Sequence, residues 1–402
     1  MAANNAPLLL DATRLVWRRW EGLRPTGIDR ICLAWLAHYA PHAQAVIVQR
    51  RAKAILPVAA SRKLFALLAE DEGTAADRTG FRWRMARLAA RHGTDLARSL
   101  PGRGRIWLNP GHTGLNTPGL DGWCRATDIK PVYLVHDLIP ITHPQFCRAG
   151  EAERHHLRMR AMLSTGHGLV ANSGHTLETV VDFAGNHGLP MPPAIVAWPG
   201  TPELRAVRLA ASKAPPTFVV LGTIESRKNH MLLLDVWEQL WKAHGPAAPQ
   251  LTIIGRRGWA CDDVLARLDA GGFGTSVLEA GAVEDADIAR LLSGARALLF
   301  PSHAEGYGLP LVEALGAGVP VIASDLPVFR EIGQAVPDLL PPDDVAGWTS
   351  AIVDYAAADS ERRAAQMARM QGFSAPDWPS HFARVDAFIT QLAAAGGSQV
   401  LA

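Results

Sequence analysis

The stretch from Phe300 to Asp325 reads F-P-S-H-A-E-G-Y-G-L-P-L-V-E-A-L-G-A-G-V-P-V-I-A-S-D, and its order decides the fold class. An apolar strand runs into a loop broken by Gly306 and Gly308, then a short apolar helix, then a second strand. Pro310 suits the first helical position, where its missing N–H costs nothing. Leu309 before it has no side-chain oxygen to cap the helix. The N–H groups of Gly308, Leu309 and the first turn are therefore expected without a side-chain acceptor, and such a helix start suits an anion such as a diphosphate. The two glycines let the backbone approach a ligand closely. Two acids flank the turn, Glu305 in the loop and Glu313 eight residues on. The same residues also fit an ordinary strand-to-helix turn with Glu313 as a surface acid, and on spacing alone both readings stand.

At 402 residues the chain is long for one core, so two domains are expected. Hydrophobic residues make up 48% and charged residues 19%, the balance of a globular protein rather than a disordered one. No apolar run approaches the roughly 20 residues of a membrane span, and the first residues lack the basic-then-apolar order of a secretory leader. Cys32, Cys124, Cys147 and Cys261 are scattered, which suggests neither a zinc site nor a disulfide framework. A cytoplasmic location is the default expectation.

The net charge of +2 is unevenly spread: residues 1–203 carry 24 Lys and Arg against 16 Asp and Glu, the remainder 16 against 22. Between Phe81 and Arg105 stand Arg82, Arg84, Arg87, Arg91, Arg98, Arg103 and Arg105, interleaved with Phe81, Trp83, Met85, Leu88 and Leu96. This stretch fits a helix lying on an anionic membrane surface. It fits equally a solvated basic helix with a buried apolar side. No recognised nucleic-acid module accompanies the charge, so nucleic acid is not an expected partner.

Strands and helices alternate along the chain. Strands are expected at Leu8–Asp11, Ala45–Gln49, Arg105–Asn109, Pro131–His136, Gly168–Ala171 and Ala194–Ala197, with helices at Gly27–Tyr39 and near 152–165 and 174–184. A parallel α/β domain over residues 1–203 follows. Trp198 to Pro202 reads as a hinge and the segment to Pro216 as a connection. A second series begins at Thr217–Leu221 and continues through Gln250–Ile254, Ser276–Leu278, Ala297–Pro301, Pro320–Ala323 and Asp338–Leu340. Its helices are expected near 229–243, 262–270, 286–294, 310–317, 345–358 and 360–371, completing a domain over 204–375. The fold class is therefore α/β, with two doubly wound sheets facing a cleft at the carboxyl ends of their strands. A last helix follows Pro376, within the tail 376–402.

Chemistry-bearing residues fall at strand ends. V-V-L-G-T-I-E-S-R-K-N, Val219 to Asn229, places Arg227 and Lys228 after a strand, where a planar fork and a point charge suit a diphosphate or form a plain surface pair. I-I-G-R-R-G-W, Ile253 to Trp259, places Gly255, Arg256 and Arg257 after the next strand. Ala282-Val283-Glu284-Asp285 follows another. Asp285 and Asp287 spell a D-x-D metal motif, but Asp285 stands where a helix cap belongs, and capping explains it without a metal. In the first half, Y-L-V-H-D-L ends a strand with His136-Asp137, a pair that fits a cleft residue or a core histidine bonded to backbone. Asn172, Ser173 and Thr176 follow the next strand, and Thr26-Gly27 precedes the helix that carries Arg30.

These elements together resemble retaining GT-B-fold glycosyltransferases of family 4. The loop, helix and following G-V-P-V-I strand are similar to that family's E-x7-E signature, G-T-I-E-S-R-K-N to its diphosphate element, and V-H-D to its sugar-facing element. The resemblance implies a nucleotide-sugar donor and a saccharide or lipid-linked saccharide acceptor. It implies catalytic roles for His136, Asp137, Glu305, Arg227 and Lys228. It implies donor contacts from Gly27, Thr223, Gly255, Arg256, Val283, the backbone of Gly306, Tyr307, Gly308 and Leu309, and the carboxylate of Glu313 toward ribose. It implies retention and a terminal helix that returns to the first domain. With no clear covalent nucleophile, front-face transfer is expected, and with Arg227, Lys228 and the helix start at Pro310 supplying the charge, no metal or other cofactor is expected. The paired glycines many members carry after the first strand are reduced here to Gly27, in R-P-T-G-I-D-R. There Arg30 is a candidate phosphate or acceptor contact.

The V-H-D, T-I-E-x-R-K-N and G-R-R-G-W elements resemble bacterial polysaccharide enzymes using mannose or rhamnose donors. GDP-mannose is the expected donor, a dTDP- or UDP-sugar the alternative, and the basic first half an expected contact with the inner membrane face. A GT-B-fold sugar-nucleotide epimerase and a non-catalytic sugar-nucleotide-binding subunit are the readings of other classes. A nicotinamide dehydrogenase is disfavoured, because the first strand runs into D-A-T-R-L-V-W with no G-x-G-x-x-G.

Overall fold

The computed structural model describes residues 7–49, 52–70, 75–97, 100–201 and 215–397. Seven strands form one sheet: β1 (Leu8–Asp11), β2 (Ala43–Gln49), β3 (Ala52–Ile55), β4 (Arg105–Asn109), β5 (Ile129–Val135), β6 (Gly168–Ala171) and β7 (Ala194–Val196), in spatial order β3-β2-β1-β4-β5-β6-β7. Six form the other: β8 (Thr217–Leu221), β9 (Gln250–Ile254), β10 (Val277–Gly281), β11 (Leu298–Phe300), β12 (Val321–Ser324) and β13 (Asp338–Leu340), in order β10-β9-β8-β11-β12-β13. The second sheet is parallel throughout. The first departs from the expected all-parallel pattern at its edge, where β3 runs antiparallel to β2 with Gln49 opposite Ala52. A connection of two residues leaves no room for the crossover that parallel pairing needs.

The central strands are continuous apolar runs because both faces are covered. Val132 and Leu134 of β5 enter one core cluster, while Tyr133 and Val135 enter the cluster on the opposite face. Phe218 and Val220 of β8 split from Val219 in the same way. This period of two is what a pleated strand imposes.

The last helix, Trp378–Gly397, crosses back to the first sheet. Phe382, Val385, Phe388, Ile389 and Leu392 share a cluster with Leu10, Trp35 and Val170. Burying side chains of this kind stabilises the fold by about 1.5–3 kcal/mol each. Trp35 Nε1 donates to His381 Nε2 at 3.0 Å, and Tyr39 Oη to Asp386 at 2.8 Å. Where the chain passes between the two sheets it touches itself: Thr201 N donates to Pro376 O at 2.9 Å, and a Cβ on Gly200 would lie 2.4 Å from Trp378 N. The expected connection lies partly at 202–214, outside the described residues.

The basic stretch divides. Its helix is Ala75–Ala97, and Arg105 belongs to β4, so the helix expected through Arg105 is shorter. Phe81 and Leu88 are buried, which gives the helix the buried apolar side of the plainer reading, while Trp83 is 65% exposed. Arg98 and the side chain of Leu96 lie outside the described residues. No described helix is long and apolar enough to cross a membrane.

Candidate functional site

A cleft of about 2180 Å³ lies between the sheets, lined by residues at the carboxyl ends of strands from both. His136, Asp137, Gly27, Thr223, Arg227, Lys228, Gly255, Arg256, Val283, Glu305–Leu309 and Glu313 all line it.

Its charged centre is built by two loops. Ser226–Lys228 forms one 3-10 turn after β8, and the glycine loop follows β11. Glu305 Oε1 accepts Lys228 Nζ at 2.6 Å, Arg227 Nη1 at 2.7 Å and Ser302 Oγ at 2.9 Å. Arg227 also pairs with Glu225 at 2.6 Å and donates to Ala304 O at 2.6 Å. Lys228 Nζ stands 4.5 Å from the centre of the Phe300 ring. Burial alone would raise the Glu305 pKa, yet Arg227 and Lys228 outweigh it and hold the carboxyl down at about 2. Burial opposes the Arg227 charge, but Glu305 and Glu225 more than offset it and raise its pKa. Burial lowers the Lys228 pKa, with Glu305 pulling the other way and Arg227 reinforcing it. Two cations and two carboxylates thus form one nearly dry, neutral cluster.

The glycine loop has a steric logic. Gly308 has φ of 114°, and a Cβ there would sit 2.7 Å from the Phe329 ring. A Cβ on Gly306 would sit 2.1 Å from His136 O, so the two sheets meet at this residue. The helix begins at Leu309 rather than Pro310, with Gly308 in the cap position and no side-chain cap. Proline at the second helical position still has no N–H to leave unpaired. Tyr307 turns its hydroxyl to Pro199 O at 3.2 Å, leaving its backbone to the cleft. Glu313 is buried on the helix, and its Oε1 lies 2.9 Å from Arg30 Nη1 of the opposite side.

Across the cleft, His136 Nε2 donates to Pro110 O at 2.7 Å. Burial lowers its pKa to about 4, so the ring is neutral near pH 7 and its Nδ1 is an acceptor. The histidine is therefore backbone-bonded and cleft-lining at once. Asp137 Oδ1 accepts Ile139 N at 3.0 Å, which commits part of its carboxylate to the turn that follows. Thr26 stands before the helix Gly27–Tyr39 and donates N–H and Oγ1 to Asp29, each at 2.7 Å. Arg14 and Arg18 neutralise that buried carboxylate at 2.6 and 2.9 Å. Gly27 approaches Leu309 so closely that a Cβ would lie 3.2 Å from its Cδ1.

At the far end of the cleft, Gly255 is required by packing: its Cβ would lie 1.8 Å from Gly222 O. Arg257 is held by Asp269 and Glu279, which leaves Arg256 as the arginine of this pair without those partners. Val283 and Thr223 also line the cleft. The helix there is Asp285–Ser293, so Glu284 and not Asp285 holds the cap position, without a side-chain cap bond.

Four contributors escaped the sequence reading. Ser302, three residues before Glu305, and Glu225, two before Arg227, complete the charged cluster. Glu331 accepts Gly174 N at 2.7 Å, His175 N at 3.1 Å and Trp198 Nε1 at 2.7 Å. Phe146 stacks on His303 with ring centres 4.9 Å apart. The Ser302 and Glu225 spacings were readable as short loop contacts, whereas Glu331 and Phe146 act across sheets and left no local signal.

Residues 215–358 match the family model Glycosyl transferases group 1. The chain is 31% identical over 230 residues to the serotype-specific mannosyltransferase WbdA of Escherichia coli, covering 52% of this chain and 28% of that protein. It is 35% identical over 146 residues to O-antigen chain mannosyltransferase B of Escherichia coli, covering 36% of this chain and 38% of that one. The chain thus spans well under half the length of these curated relatives. A sucrose-phosphate synthase from Thermosynechococcus elongatus superposes with a TM-score of 0.63 at 16% identity, covering 97% of this chain and 100% of that one. That likeness shows the fold, two facing Rossmann-like sheets of GT-B type.

Proposed function

We propose that this chain, a group 1 glycosyl transferase by its residues 215–358, moves a hexose from a nucleoside diphosphate to a saccharide or lipid-linked saccharide in bacterial surface-polysaccharide synthesis. The observation that carries the reading is the Arg227–Lys228–Glu305 cluster on one wall of the cleft with His136 on the other. Residues 204–375 hold the donor, residues 1–203 receive the acceptor, and 376–402 tie the two. The names of the relatives favour mannose over rhamnose or another hexose. GDP-mannose is the donor in this proposal, with a dTDP- or UDP-sugar the alternative.

In this reading the bond from the anomeric carbon to the diphosphate breaks, and the acceptor oxygen bonds to the same face. The acceptor proton passes to the departing diphosphate. Arg227, Lys228 and the uncapped helix start at Leu309 stabilise the charge that develops there, with no metal or other cofactor in the scheme. Both cations already serve Glu305, so the diphosphate shares them with that carboxylate. Glu305 and neutral His136 accept sugar hydroxyls, and Glu313 accepts the ribose diol.

An anionic membrane is the second partner in this reading, placing the protein at the inner face of the cytoplasmic membrane. Trp17, Trp20 and Trp83 are exposed by 44%, 39% and 65%, and Arg82 and Arg87 lie over the Trp20 and Trp83 rings. Co-sedimentation with phosphatidylglycerol vesicles at low salt tests it, and no binding ends it.

The donor test is calorimetry with GDP, UDP, dTDP and ADP, then transfer from the matching sugar. One nucleotide bound by the wild type, lost in Lys228→Ala and followed by transfer, supports the reading. A donor isomerised without acceptor points to an epimerase instead, and no nucleotide bound overturns the donor site.

A further inference from the structure

The turn after β6 touches both halves of the site. Asn172 Nδ2 donates to His136 O at 2.8 Å. Ser173 Oγ and Thr176 Oγ1 donate to one atom of the opposite sheet's glycine loop, Gly306 O, at 2.9 and 3.0 Å. Ser173 Oγ also accepts Thr176 N at 3.0 Å and so caps the helix Gly174–Asn186. Glu331 grips the same helix start through Gly174 N and His175 N. All three side chains of the turn are buried. His136 and the residue after Glu305 are therefore held by the same turn, at the point where a Cβ on Gly306 would strike His136 O.

We propose that Ser173 and Thr176 are positioning residues for the transfer step, fixing the glycine loop, and through it Glu305, against His136. The proposal rests on the transferase reading above. Capping alone would need the Ser173 oxygen as an acceptor from Thr176 N. It would not need both hydroxyls within hydrogen-bond distance of one carbonyl across the cleft, with the single Ser173 proton shared between Gly306 O and Thr176 Oγ1 at 3.0 Å. Neither hydroxyl lies among the residues lining the cleft, so the cations and Glu313 that meet the nucleotide stay in place without them. The separation of Glu305 from His136 does not. Misplacing reacting groups by about 1 Å costs on the order of 100-fold in rate.

The test uses the full chain with Thr176→Val, which keeps the Ser173 cap, and Ser173→Ala. Thr176→Ser keeps the hydroxyl. Thr179→Val removes an ordinary in-helix bond, Thr179 Oγ1 to His175 O at 2.8 Å, on the same helix. The expected result is a kcat about 10- to 100-fold lower in Thr176→Val and Ser173→Ala, with the nucleoside diphosphate Kd within about twofold of wild type. Hydrogen exchange of the Gly306–Leu309 amides is expected to speed up in both. Thr176→Ser and Thr179→Val are expected to resemble wild type in kcat and in loop exchange. Unchanged kcat in the first two variants overturns the proposal, as does a fall in kcat accompanied by an equal loss of nucleotide affinity. If the wild type transfers no sugar, the transferase reading fails by itself and loop exchange still decides. Faster exchange in Thr176→Val than in Thr179→Val then supports the positioning role, and equal exchange overturns it.

Discussion

Arg30 Nη1 and Glu313 Oε1 meet at 2.9 Å across the cleft, joining the helix Gly27–Tyr39 to the helix that follows the glycine loop. In the proposed function Glu313 accepts the ribose diol, and on that reading an entering nucleotide competes with Arg30 for it. Replacing Arg30 with Gln removes a cation from a buried carboxylate. Breaking a buried pair this way costs up to about 3–5 kcal/mol, and Arg30, with 32% of its side chain exposed, brings the expected loss to roughly 1–2 kcal/mol. Nucleotide affinity should move the other way, because the competitor for Glu313 is gone. The expected outcome for Arg30→Gln is a lower Tm in the empty protein and a larger Tm gain with nucleoside diphosphate. A smaller gain would instead make Arg30 a contact to the nucleotide.

Glu305→Gln separates binding from transfer. The carboxylate neutralises Lys228 and Arg227 in the empty site, so its removal leaves the cluster one positive charge richer. One charge at 4 Å under an effective dielectric of 20 is worth at most about 4 kcal/mol, and partial screening leaves roughly 1 kcal/mol, about fivefold. Nucleoside diphosphate is expected to bind about fivefold tighter to Glu305→Gln, while kcat falls through the lost acceptor toward the sugar. Lys228→Ala is expected to weaken nucleotide binding by tenfold or more, on the order of 1.5–3 kcal/mol for a charge-assisted contact. Isothermal titration of both variants reads the opposite signs directly.

Gly306→Ala tests how tightly the sheets meet. The new methyl would lie 2.1 Å from His136 O and 2.7 Å from Asp137 Cβ, and a backbone carbonyl cannot rotate away as a side chain can. Activity is expected to fall more than about 100-fold, since the whole wall carrying Glu305 must retreat. Gly185→Ala is the control: it sits in the helix Gly174–Asn186 with nothing within 4 Å of its added Cβ. It should stabilise the protein by about 0.5–1 kcal/mol. Initial rates and urea midpoints of the two variants separate the cases.

Much of this architecture was legible because it is local. Val132 to Val135 and Phe218 to Val220 are runs that only a strand covered on both faces tolerates, and Glu305, Gly306 and Gly308 announce a ligand-approaching turn within one stretch of chain. The cleft gathers His136 with Lys228 because both follow parallel strands, which the strand order alone anticipates. Elsewhere the reading stopped at the range of local rules. The helix Thr13–Glu21 turns Val16, Trp17 and Trp20 to one side yet buries Leu15, Arg18 and Arg19, so its sequence pattern did not announce which face enters the core. Asp285 looked like a cap one residue from the true position, the usual precision of a helix boundary. Glu331, Ser173 and Thr176 pair with groups more than 120 residues away, so their partners depend on how the two sheets dock. No spacing encodes that docking.

Stability should peak near neutral pH for reasons that buried groups make explicit. Burial lowers His136, His230 and His381 to about 4 from an unfolded value of 6.5. The unfolded chain therefore binds more protons than the fold between pH 6.5 and 4, and stability is lost as pH falls through that window. Each histidine contributes up to about 1.4 kcal/mol per pH unit. Glu305, held at about 2, adds a loss between its unfolded 4.5 and that value. Asp11 works in reverse: burial, opposed by hydrogen bonds from Thr13, pushes it up to about 8, so the fold holds a proton the unfolded chain has released. Its contribution is lost as pH rises from its ordinary value of 3.8 toward 8. Asp11→Asn keeps a hydrogen-bonding amide without the proton and should flatten the decline up to pH 8. Among the described residues neither nitrogen of buried His230 has a partner, so His230→Leu removes both an unpaired polar group and a proton-uptake site. It should stabilise the protein at pH 8, and by a larger margin at pH 5. Urea midpoints at half-unit steps from pH 4 to 9 measure both slopes, and equal gains from His230→Leu at pH 5 and pH 8 would show that this histidine does not titrate with unfolding.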